Sequence, residues 1–358
     1  MADPLPATAD SPPAERPGPR PEPEREPLLS RPPEEGARRL ALAFLDQAAQ
    51  ARSRLRGGDG EALHDFRVGL RRLRSCLRAY RGPLGGGISR KLERRLARLA
   101  DATGAGRDAE VQIEWLRAQA PVLGGYQRAG LRWLLDRLEV RRDGAYRHLE
   151  DDVVARFDNL EAELGERLSV YTAEVRLDGR SEARDTLGGA TAAILVRDLG
   201  KVGERLAAID GPGDVAHAHR ARIAAKRLRY LLEPLADELL PVQPAAKPLV
   251  KKIKELQDLL GELHDAHVLE RELDDALTAA AAERAAALFA ATLATVPDAK
   301  LLRAERRRSR ESAILALARL NRERRDRLYA ELAGGWLEGR ADTFLAGVAG
   351  LGDALAPA

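Results

Sequence analysis

Residues 64–81, HDFRVGLRRLRSCLRAYR, carry the side chains with the clearest chemistry in the chain. At the 100° per residue of an α-helix, His64, Arg67, Arg71, Arg74 and Arg78 fall within one arc of roughly 80°, with Arg72 beside it. Phe66, Leu70, Leu73, Leu77 and Tyr80 occupy the other side. One face is therefore core, and the other is a ladder of cations about a turn apart. Exposed helix faces usually mix signs, because opposite charges at i,i+4 stabilise the helix. No acid interrupts this stripe. The planar fork of arginine matches phosphate oxygens, so the stripe suits a polyanion laid along it. The competing reading is neutralisation by acids on a neighbouring helix.

The stretch occurs twice. In HRARIAAKRLRYLLEPL, His219, Arg222, Lys226, Arg227, Leu228 and Arg229 repeat His64, Arg67, Arg71, Arg72, Leu73 and Arg74, each 155 positions later. A second pair follows in the same order. Residues 99–111, LADATGAGRDAEV, match residues 256–268, LQDLLGELHDAHV, at an offset of 157. Asp101, Gly104, Asp108 and Val111 are identical to Asp258, Gly261, Asp265 and Val268, and His264 replaces Arg107. Two matches at nearly one offset indicate an internal duplication.

These segments together resemble the CHAD domain, the conserved histidine α-helical domain. The first-half pattern H-x-x-R-x-x-x-R-R-x-R, then R-D-x-x-V, is met by His64, Arg67, Arg71, Arg72 and Arg74, then Arg107, Asp108 and Val111. The second-half pattern H-x-x-R-x-x-x-K-R-L-R-Y, then Q-x-x-L-G-x-x-x-D, is met by His219, Arg222, Lys226, Arg227, Leu228, Arg229 and Tyr230, then Gln257, Leu260, Gly261 and Asp265. The resemblance spans roughly residues 36–350. His264 departs from the asparagine often found there. The resemblance implies two similar helical bundles around a basic central channel that binds inorganic polyphosphate, free or in granules, without turning it over. The strand motif E-x-E-x-K of a triphosphate-tunnel domain, which often accompanies CHAD domains, is not present.

Other chemistries find less support. His64 and His219 open the two ladders and could bind phosphate as cations, or donate to it while neutral; a structural hydrogen bond is the alternative. Asp108 and Asp265 read first as helix caps, with orientation of an arginine fork or of a divalent cation as other roles. Neither H-x-x-x-H nor H-E-x-x-H occurs, and His264, Asp265 and His267 form only a loose trio, so no metal site and no cofactor are expected. No G-x-S-x-G and no G-K-[ST] loop occurs. A phosphate-processing enzyme would need a carboxylate cluster for metal ions, and none stands beside the ladders, so no catalytic residue is assigned. Nucleic-acid binding predicts aromatics interleaved with cations for base stacking, and Tyr230 is the one aromatic placed to serve. Inositol polyphosphate is a further polyanion that the ladders could take. The candidate binding residues are thus His64, Arg67, Arg71, Arg72, Arg74, Arg78, Arg107, His219, Arg222, Lys226, Arg227 and Arg229, with Asp108, Tyr230, Lys254 and Asp265 in support.

The elements that position them read as all-α, in two similar halves. Aromatics are 4% of the chain, so its core must be Leu, Ala and Val. Lys+Arg of 59 against Asp+Glu of 56 leaves only +3, so what matters is the clustering of the cations. Eight of the 59 are lysine. Residues 1–35 are Pro-rich and read as a disordered tail. The first half covers about 36–170, a connection 171–180, the second half about 181–350, and a short tail 351–358. Residues 88–103 carry Arg90, Lys91, Arg94, Arg95 and Arg98 as either a second wall of the site or a solvated face. A turn is expected at Gly104–Gly106, and Gly261 separates Lys-rich residues 249–261 from an Ala-rich helix at 264–291. Cys76 is the only cysteine, read as a small buried hydrophobe in a reducing cytoplasmic setting. No uninterrupted apolar run of about 18 residues exists, so no membrane span is expected.

Overall fold

The computed structural model describes residues 27–55, 61–148, 153–170, 186–237, 245–293 and 310–356. These residues are largely helical and contain no strand. The first half holds α1 (Pro33–Leu55), α2 (Ala62–Ala79), α3 (Arg90–Ala102), α4 (Ala105–Ala118), α5 (Gly125–His148) and α6 (Val154–Ser169). The second holds α7 (Leu187–Ala207), α8 (Val215–Ala236), α9 (Ala246–Leu293), α10 (Arg310–Trp336) and α11 (Asp342–Leu355). The expected connection at 171–180 lies outside the described residues.

Local chemistry sets the helix ends. α1 opens on Pro33, with Glu34 and Glu35 in its first turn, where a missing N–H costs nothing and negative charge meets the helix dipole. Ser89 caps α3 by accepting from the Leu92 N–H at 3.2 Å. Thr186 and Asp214 do the same for α7 and α8. Between α10 and α11, Glu338 and Gly339 adopt positive φ and turn the chain at WLEGR.

Three boundaries differ from the sequence reading. The stretch read as a tail to residue 35 includes the 3-10 turn Leu28–Ser30 and the start of α1, and Leu28 and Leu29 pack on the core. The stretch read as a tail from 351 is the last part of α11, with Leu351 and Leu355 buried. Gly261 does not break α9, a continuous helix of 48 residues. A lone glycine costs a helix only about 1 kcal/mol, and Leu259, Leu260 and Leu263 bury on either side of it. In the first half the equivalent site has Thr103 beside Gly104 and a second glycine at 106, and the helix does break there into α3 and α4.

The hydrophobic interior does not divide where the halves divide. One cluster joins α1, α2, α3 and α6 to α7, α8, α11, the first part of α9 and the last part of α10. A second joins α4 and α5 to the later part of α9 and the first part of α10. Each cluster therefore contains both halves. Arg141 of α5 reinforces the second by donating to Glu272 of α9 at 2.7 Å. On α10, Ile314 and Leu317 are buried, whereas Leu315 is 57% exposed. Among the described residues α9 alone is long and apolar enough to cross a membrane, by an 18-residue window of mean hydropathy 1.3. Glu283 and Arg284 interrupt that stretch, so it contains no uninterrupted apolar run of the length expected of a span. Both pair with α10, through Arg310 and Glu311.

The ladder helix is held from behind. Phe66, Leu70, Leu73, Cys76, Leu77 and Tyr80 are all buried. Burial raises the Cys76 thiol far above its ordinary pKa, which keeps it protonated and inert. At Gly69 the helix lies so close to α1 that a Cβ would stand 2.9 Å from the Ala48 Cα. Backbone cannot give way there as a side chain could. Gly69→Ala is therefore expected to destabilise the protein by about 1–3 kcal/mol through overpacking, while Cys76→Ala should cost no more than about 1–2 kcal/mol. Urea denaturation of both variants checks this ordering, which fails if Gly69→Ala is neutral.

Candidate functional site

α2 and α8, the helices that carry the two ladders, pack against each other. Their backs, Leu70, Leu73 and Leu77 on one and Ala225, Leu228 and Leu232 on the other, belong to one core. The ladder residues are thereby brought to a common groove. Burial pushes the Lys226 ammonium down to about 8, assisted by Arg71 and Arg74 from α2 and by Arg222 and Arg229 on its own helix. Burial likewise pushes Arg78 down to about 10, with Arg227 of α8 and Arg74 adding repulsion and Asp198 opposing it. Arg71 donates to the Tyr230 hydroxyl, whose pKa burial raises. The Arg229 guanidinium stands 5.9 Å from the same ring.

Acids from neighbouring elements reach part of the ladders, so the competing reading of neutralisation holds for some of these residues. Arg74 pairs with Asp101 of α3 at 3.0 Å. Arg72 lies 3.6 Å from Glu233 and 3.5 Å from Asp237, and Arg229 donates to Glu233 at 2.6 Å. Glu233 is thus a buried carboxylate shared by both ladders. Among the described residues, Arg71, Arg78, Arg222, Lys226 and Arg227 have no carboxylate within ion-pair distance. The Arg227 Nε is also buried without a hydrogen-bond partner.

The matched starts of the two ladders meet different surroundings. His64 is exposed at the start of α2 and makes no polar contact among the described residues. His219 is half-buried, its ring 4.9 Å from that of His264 on α9. Burial and Arg222 lower both imidazoles, His264 to about 4 with His219 itself contributing. Both are neutral at pH 7, and each has a buried Nδ1 without a partner. Arg67 is 7% exposed and donates from Nε to the Thr103 carbonyl at 2.6 Å. Its Nη2 has no partner, and the Tyr146 ring lies 5.9 Å away.

Neither aspartate caps a helix. α4 begins after Gly104 with no side-chain cap, which leaves Asp108 inside its first turn, and Asp265 lies in the interior of α9. The capping reading failed because it placed a helix start at each aspartate. Tertiary packing instead brings the pair together across α4 and α9. Burial raises Asp265, Asp108 adds repulsion, and Arg222 and Arg324 oppose the shift. Arg107 is exposed and among the described residues pairs with Glu110 alone, at 3.5 Å. Lys254 is exposed on α9 and makes no polar contact among the described residues.

For Arg94 of α3, the structure fits the second-wall reading rather than the solvated face. Arg94 joins Arg74 and Arg78 in lining a cavity of about 170 Å³ between α2 and α3. Arg271 and Arg324 were overlooked. Arg271 stands two turns beyond His264 on the same helix face, a spacing that could have revealed it. Nothing local singles out Arg324, which reaches Asp265 only through the packing of α10 on α9.

The chain matches the sequence profile of the CHAD domain over residues 39–274. Among solved structures it is similar to the CHAD domain from the plant Ricinus communis, at 21% identity and a TM-score of 0.55, covering 89% of this chain and 92% of that one. It also matches PptA from Streptomyces chartreusis at 18% identity and a TM-score of 0.48, covering 82% and 99% of the respective chains. No curated protein matches it in sequence.

The groove has a pH signature. Lys226 holds its proton less tightly in the folded protein, at about 8 against an ordinary 10.5. Between those values the unfolded chain binds more protons, so stability rises with pH. Below about 8 the full cost of the buried ammonium is present. Urea denaturation at pH 8 and about 9.5, below the range where tyrosines ionise, should show a smaller rise in Lys226→Met than in the unaltered protein. Equal rises would remove Lys226 from the groove.

Proposed function

Since the chain belongs to the CHAD domain family, we infer that it binds inorganic polyphosphate in the groove between α2 and α8 and does not turn it over. The observation that carries this reading is the gathering of Arg71, Arg74 and Arg78 with Arg222, Lys226 and Arg227 in one contact, largely without carboxylates. Such a cluster is strained by its own repulsion, and a chain of phosphates relieves the strain along its whole length. Each charge-assisted hydrogen bond to a phosphate oxygen contributes about 1.5–3 kcal/mol. A repeating anion presents the same oxygens to both helices, so both ladders serve one site. The neutral His219 and His264 are suited to donate to phosphate rather than to attract it by charge. Tyr230 is half-buried and already bonded by Arg71, a poor platform for a stacked base, which favours polyphosphate over nucleic acid. Glu233 and Asp101 are committed to arginines. A single cysteine, buried and free, fits the reducing cytoplasm as the place of action.

Calorimetric titration with long and short polyphosphate tests the shared groove. Arg71→Glu with Arg78→Glu, and separately Lys226→Glu with Arg222→Glu, should each weaken the long chain at least about a hundredfold, with helicity unchanged by circular dichroism. Two sites of separate stoichiometry, each lost only with its own pair, would contradict a single groove. Affinity should also fall linearly with salt on logarithmic axes; no salt dependence would rule out the cationic groove. Bound phosphates should restore the Lys226 proton, so affinity should decline above pH 8, and less so in Lys226→Met.

A further inference from the structure

On the side of α3 away from the groove, α3 and α6 flank an open cavity of about 420 Å³ lined by Arg95, Arg98, Leu99, Arg156, Asn159 and Leu160, of which Arg98, Arg156 and Asn159 are exposed. The two helices present the same pattern to it. Arg95, Arg98 and Leu99 stand at i, i+3 and i+4 on α3, and Arg156, Asn159 and Leu160 stand at i, i+3 and i+4 on α6. At that spacing the residues share one face of each helix. The leucines, 4% and 1% exposed, form the floor, and the polar residues form the walls. Where two helices pack through charged residues, cations on one ordinarily meet acids on the other. Here arginines come from both. Glu163 pairs with Arg95, whereas Arg98 has no ion pair among the described residues.

We propose that this cavity is a second anion site, distinct from the groove, which takes a short oligophosphate group, either free or carried by a nucleotide. Guanidiniums converging from two helices offer planar forks to several phosphate oxygens at once, and the Asn159 amide, which donates one N–H to the Ala155 carbonyl at 3.2 Å, has a second to offer. The volume exceeds that of one phosphate and falls within the range of sites for small molecules. The basic residues of α3 thus divide between two sites. Arg94 turns to the α2 side with Arg74 and Arg78, and Arg95 and Arg98 turn to α6. The second site does not depend on the function assigned to the groove.

The test uses inorganic triphosphate and ATP as probes, titrated calorimetrically into the full chain carrying Lys226→Glu and Arg222→Glu, which disables the groove. Triphosphate should still bind at one site per chain. Adding Arg98→Glu and Arg156→Glu should weaken it at least about tenfold. Arg98→Gln alone, the milder change, should weaken it in the same direction should the double reversal impair folding. Equal affinity for the two probes assigns the site to free oligophosphate, and tighter ATP binding assigns it to a nucleotide; either outcome supports the site. Absence of binding by both probes, or binding unaffected by the changes at Arg98 and Arg156, would overturn the proposal. Loss of long-chain binding in the groove variant alone leaves this site standing, so the two readings fail separately.

Discussion

Like charge forced into contact is the constraint on which the site depends. Arg71, Arg74, Arg78, Arg222, Lys226 and Arg227 repel one another, yet the backs of α2 and α8 are buried in one core. Burial of apolar surface, about 25 cal/mol per Å², holds the helices together against that repulsion. The cost shows in the lowered affinity of Lys226 and Arg78 for their protons. Glu233, 5% exposed, limits it by serving one arginine from each ladder. Its compensation is partial and leaves Arg71, Arg78, Arg222, Lys226 and Arg227 without an acid among the described residues.

The two halves share a pattern but not an environment. Each hydrophobic cluster draws on both, so neither half has a core to itself. Equivalent residues then meet different neighbours. His64 faces solvent, while His219 rests on His264. Arg67 is buried against a carbonyl, and its counterpart Arg222 faces Asp265 and the imidazoles. The segment broken at Thr103–Gly104 in one half is a continuous stretch of α9 in the other. Thr103 bonds back to the carbonyl of Ala100, a local bond that competes with helix. Leu260, in the place of Thr103, has no such option.

Much of the architecture was legible in the chain. Helical periodicity in an Ala- and Leu-rich sequence determines all-α structure, and the apolar stripe of residues 66–80 identifies the buried face of α2 residue by residue. The duplication points to the paired ladders, because spacing along a helix is a local property. The charge of each ladder is equally local, since arginine is cationic in nearly any surroundings.

Only the tertiary structure decided which cations share a site and which acids reach them. Arg107 and Lys254 match or flank the motifs but end exposed, and Arg94 and Arg324 match none yet enter the cationic surroundings. Asp108 and Asp265 look like caps in sequence and instead lie within α4 and α9, where Asp108 repels the Asp265 carboxylate. The pairing of Arg72 and Arg229 with Glu233, the shift of Lys226 and the tilted ring contact of His219 with His264 all depend on helix crossings. The sequence by itself determined the helices, their buried faces and the charge carried on the others. The neighbours of that charge depended on how α2, α3, α8 and α9 pack. Electrostatic energy depends on separation and burial in three dimensions, and neither is encoded in the spacing of residues along one helix.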